Sequence, residues 1–285
     1  MKIANEEKPH FSISQLNCYL QCPLQYYFQY ELGIAWEKTP SAVVFGSTVH
    51  AAVEAINRGL MDDKPLKNIE AEDAFLDSWK DNLKENQIAW KEDPSELFEK
   101  GKVLIQLYYD KMRKEKPTEV ELPFRLPLVD PSTGLFIEKR DVVGKLDAIL
   151  TDDTIVEIKT TGRSPVQQEI DQNIQLTLYS WVFRMLYGKQ EKAIKVISLV
   201  KTKDPKVIIT DTRRAAREHS WLIATFAQVI SGIEMKLFYP NPIGGFGCFN
   251  CQYQVKCKEG YDEHYLLQQH GGDAGRLEPS YAGGG

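Results

Sequence analysis

The pattern of apolar positions along the chain changes its period near Pro117. Before this point apolar residues recur at the spacing of helical turns, as over residues 44–60. Ser12 and Gln15 fit a capping box at the start of an earlier helix. The segment 61–117 also has helical periodicity, and it carries no residue pattern typical of a reactive site. The first part of the chain is therefore predicted to be helical.

After Pro117 the apolar residues alternate with polar ones, which is typical of strands. The predicted strands lie at 119–129, 135–139, 141–150, 154–160, 192–200 and 206–211, with a turn at 131–134. Helical periodicity returns at 166–187 and at 213–237. Strands that precede and alternate with helices predict an α/β or α+β fold, in which helices cover a sheet.

The composition is that of an ordinary globular protein. The chain has 285 residues, of which 42% are hydrophobic and 26% are charged. It contains no uncharged apolar stretch of about 18 residues and begins without the apolar region of a signal peptide, so we expect a cytoplasmic protein with no membrane partner. The net charge of −5 argues against a general polyanion binder. Neither a phosphate-binding loop for ATP nor a serine nucleophile motif is present.

An aspartate and a Glu-x-Lys triplet form the strongest catalytic candidate. Alternate residues of a strand point to one face, so Glu157 and Lys159 project together. If strands 141–150 and 154–160 form a hairpin, Asp147 comes near Glu157. A hard divalent ion such as Mg²⁺ or Mn²⁺ offsets the repulsion of two close carboxylates and can activate water for attack on a phosphoryl group. The alternative is a surface cross-strand pair of Glu157 with Lys159.

The cysteines form a second constellation, because they cluster at the two ends of the sequence. The five cysteines are Cys18, Cys22, Cys248, Cys251 and Cys257. In a reducing compartment such clustering favours metal ligation over disulfides. Three thiolates from the C-terminal loop and one from the N-terminal segment suit either zinc or an iron–sulfur cluster. The spacing alone leaves zinc, a cluster and free thiols as alternatives.

Several motifs, in their order along the chain, match those of one nuclease family. The motifs are the segment from Ser12 to Phe28 with its Cys22-Pro23 step, Gly46-x-x-x-His50, Gly144-x-x-Asp147, Glu157-Ile158-Lys159 and Gln175-x-x-x-Tyr179. The chain thereby resembles the RecB-like exonucleases of the PD-(D/E)XK nuclease superfamily, which include the AddB nuclease domain and CRISPR-associated exonucleases with four cysteines. The resemblance covers residues 12–257, apart from 61–117.

The resemblance implies a role for each motif residue. The divalent ion, Mg²⁺ or Mn²⁺, would be held by His50, Asp147, Glu157 and the carbonyl group of Ile158. Lys159 would be the catalytic lysine, and Gln175 and Tyr179 would contact DNA or fix Lys159. A 4Fe-4S cluster would be held by Cys22, Cys248, Cys251 and Cys257. Cys18 is then the spare thiol, although it lies one helical turn from Cys22 and either could reach the same point.

The resemblance also implies a fold, which is a restriction-endonuclease-like mixed sheet flanked by helices. The expected segments are N-terminal helices with cluster and metal ligands at 1–60, a helical insertion at 61–117, the nuclease core at 118–240, an iron–sulfur loop at 241–270 and a disordered tail at 271–285. The cluster would join the two ends of the chain.

The expected function is a metal-dependent exonuclease that hydrolyses single-stranded or frayed DNA ends. Its partners would be DNA and a helicase, recombination or CRISPR adaptation protein, in a process such as DNA repair or recombination. One alternative is a non-catalytic DNA-end-binding or scaffold subunit of a helicase or integrase complex, against which the intact Asp147, Glu157 and Lys159 speak. A second is a zinc-stabilised interaction module.

Overall fold

A computed structural model of the chain describes residues 9–130, 133–134, 136–242, 248 and 251–259. The described residues form two compact units. The first contains the residues up to 16 together with 37–228, and the second contains 17–36 together with the residues from 229 onward. The predicted disordered tail and most of the predicted iron–sulfur loop lie outside the described residues.

Most of the described helices precede three consecutive strands at 117–161, and the remaining ones follow these strands. The strands are β1 (His10–Ser12), β2 (Thr39–Pro40), β3 (Ile88–Ala89), β4 (Pro117–Val129), β5 (Phe136–Leu150), β6 (Thr154–Thr161), β7 (Ala193–Val200) and β8 (Lys206–Thr212). The helices are α1 (Ile13–Gln21), α2 (Pro23–Tyr26), α3 (Ser41–Met61), α4 (Asn68–Glu85), α5 (Pro94–Met112), α6 (Gln167–Asp171), α7 (Ile174–Tyr187), α8 (Ala216–Glu234) and α9 (Gln254–Glu259), with a π-helical turn at Tyr27–Glu31. Among the described residues, no helix is both long and apolar enough to cross a bilayer.

A mixed sheet is the centre of the first unit. Its strand order is β1-β5-β6-β7-β8, and β4 also pairs with β5. The β4–β5, β5–β6 and β7–β8 pairs are antiparallel, whereas β1–β5 and β6–β7 are parallel. The predicted fold class, a mixed central sheet with flanking helices, is confirmed.

Apolar side chains of α3, α4 and α5 pack with those of the central strands. Val53, Phe75 and Leu104 represent the three helices in this cluster, and Val156 and Ile158 represent β6. The segment 61–117 thus contributes two helices to the main core of the first unit. Since neighbouring residues of a strand point to opposite faces, β6 turns its other side chains away from this cluster.

Local chemistry explains where the structure departs from the predicted elements. The helix predicted at 166–187 is divided, because the side chain of Asn173 caps α7 by accepting the N–H of Gln175 at 2.9 Å. Arg214 donates to the carbonyl oxygens of Ile170 and Asn173 at 2.9 and 3.3 Å, which satisfies the end of α6. A continuous helix was therefore a wrong prediction.

At the N-terminal end, the predicted capping box is confirmed. The Ser12 N–H donates to Gln15 Oε1 at 2.8 Å, and the Gln15 N–H donates to Ser12 Oγ at 3.2 Å. The preceding strand β1 was not predicted, because three residues are too short to establish a period. The two strands predicted at 135–139 and 141–150 form the single strand β5.

Aromatic packing organises the second unit around Tyr26. Its ring stacks on Phe238 with centroids 6.3 Å apart and meets Tyr19 edge-on at 5.6 Å. The Tyr19 hydroxyl donates to the carbonyl oxygen of Leu237 at 2.8 Å. A Cβ atom at Gly232 would lie 2.5 Å from that hydroxyl oxygen, so any larger residue there would displace the hydroxyl from its position. These contacts join the N-terminal segment of this unit to its C-terminal segment.

A buried polar network links α7, α8 and Glu191, which lies two residues before β7, in the first unit. Arg184 donates twice to the Glu191 carboxylate, at 2.8 and 2.9 Å, and the Ser180 hydroxyl donates to the same group at 2.7 Å. His219 Nε2 lies 2.9 Å from the Ser180 oxygen, and His219 is only 2% exposed. Burial and the neighbouring Arg184 lower the pKa of His219 from 6.5 to about 4. The ring is therefore neutral in the folded protein at neutral pH.

This network predicts a pH dependence of stability. The unfolded chain binds a proton at His219 below about pH 6.5, whereas the folded chain binds it only near pH 4. The free energy of unfolding should therefore decrease as the pH is lowered from about 6.5 to about 4. The loss is on the order of 3 kcal/mol at most. His219→Gln keeps a polar atom near Ser180 but cannot titrate. Urea unfolding from pH 7 to 4 should show a flatter dependence for the variant, and equal slopes would contradict the prediction.

Candidate active site

The β5–β6 hairpin places the two predicted carboxylates side by side. The strands pair at Ala148–Val156 and Ile149–Ile155. Asp153, in the connecting turn, adopts a left-handed φ of 64°, which suits a tight reversal. The predicted pairing across this turn is therefore confirmed, and it brings Asp147 and Glu157 into register.

Backbone pairing between β5 and β6 ends beside Asp147, and a side chain replaces it. The N–H of Ile158 donates to Asp147 Oδ2 at 2.8 Å. This bond holds the Asp147 carboxylate against β6 and leaves its second oxygen for another partner. Glu157 is only 1% exposed, and its Oε2 is buried without a hydrogen bond partner. A buried carboxylate oxygen without a partner is costly unless a cation approaches it.

The electrostatics of the pair point to the same requirement. Burial raises the pKa of Asp147, although the N–H of Ile158 opposes the shift. Burial and then repulsion from Asp147 raise the pKa of Glu157, and Lys159 opposes that shift. Both shifts mean that the folded protein disfavours two negative charges here. A divalent cation would remove this cost.

Lys159 follows Glu157 on the same face of β6 and is held by two partners. Its Nζ lies 2.5 Å from Glu157 Oε1 and donates to Gln175 Oε1 at 2.7 Å. The amide nitrogen of Gln175 in turn donates to the Tyr179 hydroxyl at 2.7 Å, one turn along α7. Because Asn173 caps α7, Gln175 lies in the first turn of this helix, and its side chain reaches Lys159 on β6. The structure thus connects Lys159, Gln175 and Tyr179 in one chain of hydrogen bonds.

His50 comes from α3 and approaches the same place. Ligand atoms of His50, Glu121 and Asp147 all lie within 4.8 Å of one another. Glu121, on β4, was not predicted as a site residue. The available signal was an acidic side chain between two apolar residues, Val120 and Leu122, on the first strand of the sheet.

The residues present fit a divalent metal ion. An imidazole nitrogen and carboxylate oxygens suit Mg²⁺ or Mn²⁺, which prefer oxygen-rich ligand sets. The unpartnered oxygen of Glu157, beside Asp147, is the kind of atom that such an ion satisfies. Of the predicted metal ligands, the structure groups His50 with Asp147 and places Glu157 next to Asp147.

The second predicted site lies in the second unit, where four cysteines line one cavity. Cys22, Cys248, Cys251 and Cys257 border a space of about 400 Å³, together with apolar residues that include Leu24, Phe28 and Tyr253. Cys18 is not among the described residues that line it. Burial raises the pKa of the Cys18 thiol to about 12, so this cysteine is protonated at neutral pH.

Short backbone interactions aim the cysteines at the cavity. Cys22 is the residue before α2, where Pro23 begins the helix, and its extended backbone turns it out of the preceding helix. The N–H of Cys251 donates to the carbonyl oxygen of Cys248 at 3.2 Å, and that of Cys257 donates to Tyr253 at 2.8 Å. Burial and mutual proximity raise the pKa of Cys251 and Cys257. Such a set of thiols would be stabilised by a metal that binds them as thiolates.

A mixed sheet that carries paired acids and a lysine, with a histidine beside them from a packed helix, is typical of metal-dependent phosphodiesterases. The family model of the PD-(D/E)XK nuclease superfamily matches residues 10–258, and the chain belongs to this superfamily. The predicted restriction-endonuclease-like fold is thereby confirmed, and the family and site together are those of a metal-dependent nuclease. No curated protein matches the chain.

The solved structures to which the chain is similar are distant from it in sequence. The crystal structure of a protein from Eubacterium rectale, named Putative exonuclease, has a TM-score of 0.52 and 13% identity, over 81% of this chain and 86% of its own. A second structure, SSO0001, has a TM-score of 0.36 and 15% identity, over 82% of this chain and 93% of its own. A TM-score of this size does not establish a common fold.

The buried carboxylates are expected to destabilise the metal-free protein and to provide ligands for a metal ion. The raised pKa of Asp147 means that metal-free protein loses stability as pH rises from about 4 through that pKa. Asp147→Asn keeps an acceptor for the Ile158 N–H and removes the charge. In EDTA at pH 8 the variant should therefore unfold at a higher denaturant concentration than the unaltered protein. Its free energy of unfolding should be larger by about 1 to 3 kcal/mol. Mn²⁺ should stabilise only the unaltered protein.

A matched control for this prediction is Asp152→Asn in the same hairpin. Asp152 has a lowered pKa, because it bonds Lys192 on the surface. Losing that carboxylate should not stabilise the metal-free protein. An Asp147→Asn variant that is less stable than the unaltered chain in EDTA would contradict the prediction.

Proposed function

We propose that the protein is a deoxyribonuclease of the exonuclease type, which acts on single-stranded or frayed DNA ends with Mg²⁺ or Mn²⁺ and contains a structural 4Fe-4S cluster. The observation that carries the catalytic part is the buried, unpartnered carboxylate oxygen of Glu157 between Asp147 and Lys159. A scaffold protein has no physical reason to retain so costly an arrangement, whereas a hydrolase needs it to bind an ion.

The ligands of the catalytic ion in this proposal are His50, Asp147, Glu157 and the carbonyl group of Ile158. When bound, the ion supplies a lowered pKa for water and neutralises charge on the phosphoryl group. Asp147 contributes rigidity as well as charge, because the N–H of Ile158 fixes one of its oxygens. Such fixed, preorganised ligands lose little freedom when they bind.

Lys159 has a separate role as the catalytic cation. Its ammonium group lies beside the carboxylate of Glu157, where it can donate a hydrogen bond to a phosphate oxygen that gains negative charge. Gln175 orients the ammonium group, and Tyr179 orients Gln175, through the hydrogen bonds described above. Both helix residues are therefore assigned as positioning residues, with DNA contact as a further role.

Two similarities support the exonuclease type. The motifs of the chain resemble those of RecB-like exonucleases, and the structural neighbour from Eubacterium rectale carries the name of an exonuclease. The net charge of −5 predicts weak, salt-sensitive binding to DNA by the chain alone. We therefore include a helicase, recombination or CRISPR adaptation protein as the partner that would supply further DNA contacts.

The nuclease proposal predicts cleavage of end-labelled DNA by anaerobically purified protein in Mg²⁺ or Mn²⁺. EDTA should abolish it, and Lys159→Ala should lower the rate by at least about a hundredfold, since charge stabilisation by one group is typically worth this much. Lys192→Ala, which removes a surface lysine elsewhere in the same unit, should leave the rate unchanged.

The products of DNA cleavage distinguish an exonuclease from the alternative functions. Nucleotides released progressively from labelled ends support an exonuclease, whereas discrete internal fragments contradict that part of the proposal. If the unaltered protein and Lys159→Ala are equally inert with every metal while the cluster is intact, the scaffold reading replaces the enzyme.

The cluster proposal is supported by the cavity that four cysteines share. Cys22, Cys248, Cys251 and Cys257 border one space of about 400 Å³, and four thiolates suit either zinc or an iron–sulfur cluster. The motifs of the chain resemble those of exonucleases with four cysteines, and this resemblance favours the cluster.

The cluster proposal also predicts which cysteines matter. Protein purified without oxygen should contain about four iron atoms and the visible absorbance of a 4Fe-4S cluster. Cys22→Ser should lose both and unfold at a lower temperature, because ligand binding energy is folding energy in such sites. Cys18→Ser is the matched control one helical turn away and should keep the cluster. One zinc per chain, or cluster loss in Cys18→Ser alone, would contradict the assignment.

A further inference from the structure

Glu121 has a backbone conformation that is rare inside a strand. Its φ is +50°, in the left-handed region that L-amino acids with large side chains avoid. It lies between the regular pairs Val120–Ala148 and Leu122–Leu146, so the strand resumes its register on both sides. The other described non-glycine residues with positive φ lie in turns or at helix ends. Such isolated strain persists only where the surroundings enforce it, and it clusters at functional sites.

The strained backbone aims the Glu121 carboxylate at two other ligand-type groups. Its oxygen lies within 4.8 Å of a ring nitrogen of His50 and an oxygen of Asp147. The Glu121 side chain is only 16% exposed, so water screens this carboxylate poorly from Asp147. Without a cation between them, two acids at this distance repel each other.

A salt bridge does not account for this arrangement. Lys145 is the cation paired with Glu121, at 3.6 Å between Nζ and Oε2, and its side chain is 62% exposed. Exposed pairs of this kind contribute little to stability. Glu157 provides an independent indication that a cation binds here, because its buried Oε2 next to Asp147 has no hydrogen bond partner.

We propose that Glu121 is a direct ligand of the divalent ion that His50 and Asp147 hold. This inference rests on the proposed function and adds a carboxylate that the motifs of the chain do not contain. The ion is then held from α3, β4, β5 and β6, while Lys159 pairs with Oε1 of Glu157. The left-handed backbone at Glu121 serves to direct the carboxylate inward.

Mn²⁺ binding measured by electron paramagnetic resonance of the free ion tests this role without requiring activity. Glu121→Gln should bind Mn²⁺ about tenfold or more weakly, a loss typical of disturbed metal sites. Lys145→Ala removes the competing cation and should bind Mn²⁺ as tightly as the unaltered protein or more tightly. Equal affinities of Glu121→Gln and the unaltered protein would overturn the assignment.

A second variant separates metal binding from folding. Glu121→Gly removes the carboxylate but relieves the left-handed backbone, so in EDTA it should melt no lower than the unaltered protein. It should still lose Mn²⁺ affinity by at least about tenfold. Retained affinity in this well-folded variant would overturn the proposal independently of Glu121→Gln.

Comparing Mn²⁺ binding with DNA cleavage distinguishes a failure of this inference from a failure of the proposed function. Lys159→Ala is the reference variant, which should bind Mn²⁺ normally and cleave no DNA. If the unaltered protein binds Mn²⁺ through Glu121 but never cuts DNA, the nuclease assignment fails and the ligand assignment stands. If it cuts DNA and Glu121→Gln binds Mn²⁺ equally well, only the ligand assignment fails.

Discussion

The proximity of Asp147 and Glu157 is the constraint to which the rest of the site responds. The hairpin register forces the two carboxylates together in a buried position, and burial raises the pKa of both. Each neighbouring feature compensates for part of this cost. The Ile158 N–H binds one oxygen of Asp147, and Lys159 binds one oxygen of Glu157. Oε2 of Glu157 remains without a hydrogen bond partner, and a divalent ion would supply one.

The fold delivers these groups because each comes from an element anchored elsewhere. Val156 and Ile158 pack into the core with α3, α4 and α5, which fixes the side of β6 that carries Glu157 and Lys159. The same core holds α3 and therefore His50. The segment 61–117, which contains no site residue, thus contributes indirectly, since its two helices support the strands and the helix that do. Rigid elements hold reacting groups more accurately than loops do.

Sequence patterns predicted the parts of the site that local chemistry determines. A two-residue period in β6 and a one-turn spacing in α7 are enough to place Lys159 with Glu157, and Gln175 with Tyr179. The direction of Glu121 was not predictable, because its left-handed backbone depends on the pairing of β4 with β5, far along the chain. The break before Asn173 combines a local signal, the Asn173 cap, with hydrogen bonds from Arg214, which is distant in sequence. Period and propensity describe neighbours in sequence, whereas these features depend on neighbours in space.

The choice between Cys18 and Cys22 illustrates how a single local feature can decide a distant contact. The two residues lie one helical turn apart, and a continuous helix would direct both towards one side. Pro23 starts a new helix instead, so Cys22 takes an extended backbone and lines the cavity with the three C-terminal cysteines. Cys18 stays buried beside Gln29, and burial raises the pKa of its thiol. In the proposed cluster, the proline after Cys22 would therefore favour Cys22 over Cys18 as the fourth thiol.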